Sequence, residues 1–389
     1  MPRDVAHPPP SATRALRHPE RVPLLALGMI ALVAALWGGL VRLGWQLPGA
    51  GNLALLHGPL MVSGFLGTVI GLERAVACGR PWAYAAPLLA GLGAAGLIAG
   101  IPHWPGALLM TASSAVIIAV FVLALRSHRA LYTQIMAAGA LAWLTGNLLW
   151  SAGQPLFTVV YWWLAFLVLT ILGERLELNR LLPPARRVRL SFVAALAVFI
   201  AGVLATFASP DLSARLAGAG AIALMAWLLR FDIARRNIRQ TGLVRFVAAG
   251  LFLGYLWLGI GGAILLMAGH TAAGPVYDAV LHALFVGFVF SMIFAHAPII
   301  FPAILGVAID YRPRFYLHVA LLHFALIARV AGDLGGWMAL REWGGLLNAV
   351  AIVLFLANTV SAVRLGSGTA TPSSPGGIRD TRIGRSKQN

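Results

Sequence analysis

The stretch Leu53-Ala54-Leu55-Leu56-His57-Gly58-Pro59-Leu60-Met61-Val62-Ser63-Gly64-Phe65-Leu66-Gly67-Thr68-Val69-Ile70-Gly71-Leu72 holds no Asp, Glu, Lys or Arg, and it closes on Glu73-Arg74. A helix of about 20 mostly apolar residues matches the thickness of a bilayer core, because it satisfies its own backbone N–H and C=O groups without water. Eleven further runs of this kind flank it, near 22–43, 82–101, 104–125, 131–151, 156–174, 188–208, 212–230, 244–269, 278–300, 315–336 and 342–364. Short polar connections such as Ile101-Pro102-His103-Trp104-Pro105 make neighbours antiparallel. The expected fold is therefore all-α: a polytopic membrane protein with twelve transmembrane helices over residues 22–364. It lies between a tail of residues 1–21 and a tail of residues 365–389, whose Ser, Gly, Thr and Arg content predicts disorder.

Composition agrees. Of 389 residues, 60% are hydrophobic and 11% charged, about half the charged share of an ordinary soluble domain. The net charge of +17 does not point to nucleic acid, because the basic residues sit between apolar runs rather than on one face. They read as topology signals. With the amino terminus in the cytoplasm, all of the 29 Lys and Arg residues except Arg42, Arg215, Arg329 and Arg341 fall on the inner side, so both termini are expected in the cytoplasm. The first apolar run is long enough to stay as an anchor, so it does not read as a cleaved signal. A single cysteine, Cys78, excludes an internal disulfide and a zinc site of several thiolates.

Orientation gives each histidine a depth. His7, His18 and His128 fall in inner polar segments, and His103 and His270 in outer loops. His57, His282, His296, His318 and His323 lie within or at the ends of spans, where an ionisable group is a functional hypothesis by default. His57 and His282 both lie about four residues below the outer ends of spans 2 and 10, roughly 6 Å into the apolar layer. Two explanations stand for this shared level: each imidazole bonds a neighbouring helix carbonyl, or the two share a ligand. His296 follows His282 by nearly four turns and so lies about 21 Å away on a similar face, too far for one ion. With His323 it forms a second, inner candidate metal site, in a pocket that Pro298 and Pro302 would open by kinking or ending the helix. His318 reads as interfacial.

Span 2 ends Gly71-Leu72-Glu73-Arg74, span 6 ends Gly173-Glu174-Arg175, and span 10 opens with a histidine as span 2 does. This four-span recurrence suggests three four-helix arcs. Glu73 and Glu174 either pair with their neighbouring arginines at the membrane face or belong to a proton path.

His57-Gly58-Pro59-Leu60-Met61-Val62-Ser63-Gly64-Phe65 and Leu281-His282-Ala283-Leu284-Phe285-Val286-Gly287, set in a twelve-span body, resemble subunit I of the haem-copper oxidases. They are closer still to the NnrS-type membrane proteins, which are associated with nitric-oxide stress. The resemblance covers most of the chain by span count, with its specific motifs on two helices. It implies a b-type haem clasped by His57 and His282 near the outer face, in a bacterial cytoplasmic membrane. It also implies an arginine near the propionates, and Arg329 in span 11 is suited to this; the alternative is an Arg329–Asp333 pair at helical spacing. The oxidases' copper histidines are missing: span 6 carries Tyr161-Trp162-Trp163, and span 7 has no histidine. Oxygen reduction at a haem–copper centre is therefore not expected. Gly58, Gly64, Gly67 and Gly71 would either leave a flat slot for haem or allow close helix packing.

Three functions follow. The first is a haem protein in electron transfer, redox sensing or nitric-oxide response, its partner a redox protein or quinone; as an enzyme it would be a membrane oxidoreductase. The second is a copper or small-solute transporter, in which His57 and Met61, four apart on one face, form a soft copper(I) pair. The third is an assembly subunit of a respiratory complex.

Overall fold

The computed structural model describes residues 18–49, 51–179 and 185–366. Most of the two expected tails lies outside the described residues. Within them every regular element is helical. The long helices, in chain order, are α1 (Pro19–Arg42), α2 (Leu53–Cys78), α3 (Pro81–Ile98), α4 (His103–Ser127), α5 (Leu131–Ser151), α6 (Leu156–Leu178), α7 (Arg186–Phe207), α8 (Pro210–Phe231), α9 (Gly242–Ala268), α10 (Pro275–Leu305), α11 (Phe315–Gly335) and α12 (Met338–Val363). All but α5 are long and apolar enough to cross a membrane, so the chain is a polytopic all-α membrane protein.

The exception has a physical reason. Helix α5 spans 21 residues, as expected, but Gln134, Thr145, Asn147 and Ser151 lower its hydropathy. Asn147 is fully buried and satisfied by protein: its Oδ1 accepts from Ser63 Oγ (2.8 Å) and Trp163 Nε1 (3.0 Å), while its Nδ2 donates to the Met110 carbonyl (3.1 Å). A polar side chain is tolerated at such depth only with partners of this kind.

Consecutive helices pack as neighbours, and α12 returns to α1, where Trp45 meets Trp343 edge-on with ring centres 5.5 Å apart. Helices α2, α6 and α10, four apart in order, meet in the interior. Helix α6 is the most buried span, with 83% of its apolar window enclosed. At the arginine-rich end Arg74 of α2 donates to Glu73 (3.1 Å) and across to Glu174 of α6. The next arginine, Arg175, does not pair with Glu174; it takes Asp232 in a two-pronged ion pair and stands 3.3 Å from His296 Nε2 of α10. The recurring Glu-Arg dipeptides thus form a chain of contacts linking α2 to α6 and α6 to α10.

Two helices depart from α geometry at corresponding places. Helix α2 widens into π-helical winding over Leu60–Leu66, and α10 does so over Ala283–Phe290. In α2 the change follows Pro59, which has no N–H to give to the preceding turn. Each wide segment begins within three residues after a histidine, and such segments concentrate at functional sites.

Candidate functional site

Helices α2 and α10 face each other across a cavity. The imidazoles of His57 and His282 have ring centres 6.4 Å apart and planes within 16° of parallel. Two turns deeper, Phe65 and Phe290 repeat the arrangement at 6.1 Å and 25°. Both phenylalanines follow their histidine by eight residues. An α-helix aligns residue i with i+7, whereas the wider i→i+5 winding moves the alignment toward i+8. The equivalent of Phe65 on α10 is therefore Phe290.

Each imidazole is held by one nitrogen. His57 Nδ1 bonds the Ala35 carbonyl of α1 at 2.7 Å, and His282 Nδ1 bonds the Asp278 carbonyl one turn back at 2.7 Å. A carbonyl only accepts, so both Nδ1 atoms carry hydrogen and both Nε2 lone pairs are free. The carbonyl-bonded explanation and the shared-ligand explanation are compatible: the first orients the rings for the second. Gly39 makes room for the His57 ring, since a Cβ there would stand 2.8 Å from Nδ1.

The cavity offers about 170 Å³ to water centres, against the roughly 10–15 Å³ that one water requires. Its walls come from α1, α2, α6, α10, α11 and α12 and are mostly apolar, with Met61, Val62, Phe285 and Phe290 among them. Of the four glycines proposed as a slot, only Gly58 faces this space, with nothing within 4 Å of an added Cβ. Gly64 packs on Ala31 and Ala94, Gly67 on Trp143 and Gly71 on Pro87, so these three serve helix packing.

The rim is charged. Asp278 Oδ2 accepts from Arg341 Nη2 at 2.7 Å and from Arg329 Nη2 at 3.2 Å. Asp333 Oδ1 lies 2.6 Å from Arg341 Nε, off the line of a hydrogen bond, and Asp333 Oδ2 lies 4.0 Å from Arg329 Nε. Arg329 is thus no free cation; its nearest acid is Asp278 across helices rather than Asp333 along its own. Arg42, also in the cavity wall, has no acidic partner among the described residues. It leaves a surplus positive charge facing the cavity. Deeper, Asn348 of α12 lines the same space, is 4% exposed, and has neither amide atom bonded. An amide buried without partners is costly, and here its donors and acceptor stand unused at the cavity wall.

Sequence reasoning missed Arg42, Arg341 and Asn348 as site residues, although a signal existed. Three of the four arginines that break the inner-side charge bias, Arg42, Arg329 and Arg341, line this one cavity. The fourth, Arg215, pairs with Asp211 at 2.8 Å.

The inner metal site does not assemble. His296 Nδ1 bonds the Met292 carbonyl at 2.8 Å while its Nε2 meets Arg175, and His323 Nδ1 accepts from Trp257 Nε1 at 2.9 Å while its Nε2 stands 3.4 Å from Ser291 Oγ. Both rings are engaged at both nitrogens. Among the described residues no group of three or more His, Cys, Asp or Glu is placed to hold a metal ion. Helix α10 also continues through Pro298 and Pro302 to Leu305, where Gly306 ends it at φ 67°. His318 is buried rather than interfacial, ringed by Phe294, Phe315 and Phe355 and bonded to Asn358 at 3.2 Å.

These features define a polytopic helical membrane protein with facing histidines under an arginine-bearing rim. The chain belongs to the family described as Domain of unknown function (DUF8744), which matches residues 21–364, the whole helical body. No curated protein matches it.

Proposed function

We propose that the cavity holds a b-type haem between His57 and His282, and that the protein works in electron transfer, redox sensing or the nitric-oxide stress response. The observation that carries this is the spacing of two near-parallel rings with free Nε2 atoms. Two metal–nitrogen bonds of about 2 Å each, with the half-widths of two imidazoles, come to roughly 6 Å, and the ring centres lie 6.4 Å apart. The apolar walls suit a macrocycle, and Arg42 with the Arg329–Arg341 pair suits its carboxylates. His57 and His282 would hold the haem, which would supply a one-electron redox couple.

On this reading the protein resides in a bacterial cytoplasmic membrane with both termini inside, and exchanges electrons with a redox protein or quinone at the outer end. Protein purified from a haem-replete host should show a low-spin b-type spectrum, oxidised and reduced. Absence of haem from such a preparation would reject the reading. A second reading rests on Met61, which lines the same cavity one turn from His57: a soft copper(I) site, which would show as copper retained by a haem-free preparation.

A further inference from the structure

A second recess lies at the arginine-rich end of the bundle, in the connection between α8 and α9. It is open, of about 590 Å³, and is lined by Arg230, Arg235, Arg236, Arg239, Gln240 and Asp232 beside Phe231. Its one acid is turned away. Asp232 is 2% exposed; its Oδ1 accepts from Arg175 Nη2 and from the Ala234 N–H, both at 2.8 Å, and its Oδ2 accepts from Arg175 Nε at 3.1 Å. That carboxylate neutralises an arginine of α6, not those around it. Among the described residues, Arg230, Arg235, Arg236 and Arg239 pair with no Asp or Glu.

We propose that this recess binds the phosphate headgroup of an anionic phospholipid. Four like charges within ten residues repel one another, and a phosphodiester relieves that repulsion while offering oxygens that match the guanidinium fork. A topology signal needs only the count of arginines in the loop; it does not need them to converge on one recess with the local acid withdrawn. The setting selects a lipid over a free anion. The recess lies at the foot of two membrane-spanning helices, the end that the charge bias assigns to the anionic leaflet, and basic pockets between such helices are suited to lipid headgroups. On its lip Phe231 is 41% exposed with the Arg230 guanidinium 5.3 Å from its ring centre, and on the first turn of the following helix Val244 is 46% exposed. Acyl chains below a bound phosphate would meet these side chains.

The test uses the full chain in phosphatidylcholine nanodiscs with and without phosphatidylglycerol, reading lipid retention by native mass spectrometry and the thermal midpoint. Wild type should retain phosphatidylglycerol and gain stability from it. R235Q/R236Q/R239Q should lose retention by roughly fivefold per arginine removed, while R126Q/R129Q, altered in another inner segment, should behave as wild type. Equal retention by wild type and the triple variant would overturn the proposal. So would equal losses in the two variants, which would mean a diffuse charge effect, or a stability gain reproduced by inorganic phosphate in plain phosphatidylcholine, which would mean a free-anion site. If the triple variant does not fold, Arg236→Gln alone is read by the same retention measure, and unchanged retention overturns the proposal.

Discussion

Gly39 of α1 stands directly against the imidazole of His57, where an added Cβ would come within 2.8 Å of both Cε1 and Nδ1. The bare backbone there lets the ring reach past α1 to the Ala35 carbonyl. Gly39→Ala should push the ring off this bond and misalign its Nε2. Losing the partner that orients a metal-bound histidine typically costs 10–100-fold in affinity. We expect haem titration of this variant to show weakening of about that size, with helix content intact. Unchanged affinity would mean that the Ala35 bond does not set the ring.

His57→Ala and His282→Ala should each abolish the low-spin spectrum, and the double variant should be no worse than either. The two rings act on one atom, so their effects are not additive. A single variant that keeps a six-coordinate low-spin spectrum would show that another side chain completes the site.

Asn348 gives a prediction with opposite signs. In ligand-free protein its amide is buried and unbonded, at a cost of about 1–3 kcal/mol. Asn348→Leu should therefore raise the stability of the ligand-free protein and weaken haem loading. Thermal unfolding before and after haem addition separates the two effects, and a variant destabilised in both states would show that the amide has a partner within the fold.

Asp232→Ala leaves Arg175 charged and buried without its acid. Breaking a buried pair from one side costs about 3–5 kcal/mol, whereas replacing both partners by apolar groups is often neutral. Denaturation in detergent should show the single variant losing about that much, and Arg175→Met/Asp232→Leu recovering most of it.

Asn147→Leu removes the acceptor of Ser63 and Trp163 together. Two donors left unbonded in the core should lower stability by about 2 kcal/mol or more. Asn147→Asp, which keeps the acceptor, should lose less in the same unfolding assay when its carboxyl is neutral.

The helices were legible because a bilayer imposes a length and a composition on each one, whatever it packs against. Residues 131–151 form a helix as expected, but α5 is too polar to qualify as a span by hydropathy. The level of His57 and His282 followed from counting residues below an interface. Their facing geometry did not, because it depends on which way each helix is rotated and on two segments of π winding, only one of which has a proline to announce it. The grouping of Arg329 with Asp278 and Arg341 was hidden for the same reason: it joins side chains from three helices whose order in sequence says nothing about azimuth.

Residue order alone determined that the chain crosses a membrane many times and where its basic residues cluster, since these depend on local hydropathy and composition. Only the tertiary structure decided that two imidazoles meet across a cavity, that His296 and His323 spend both ring nitrogens on protein partners, and that Asp232 turns inward to Arg175. Those outcomes are set by helix rotation and by competition among polar groups for the few partners available in a water-free interior, a contest that no single segment can resolve.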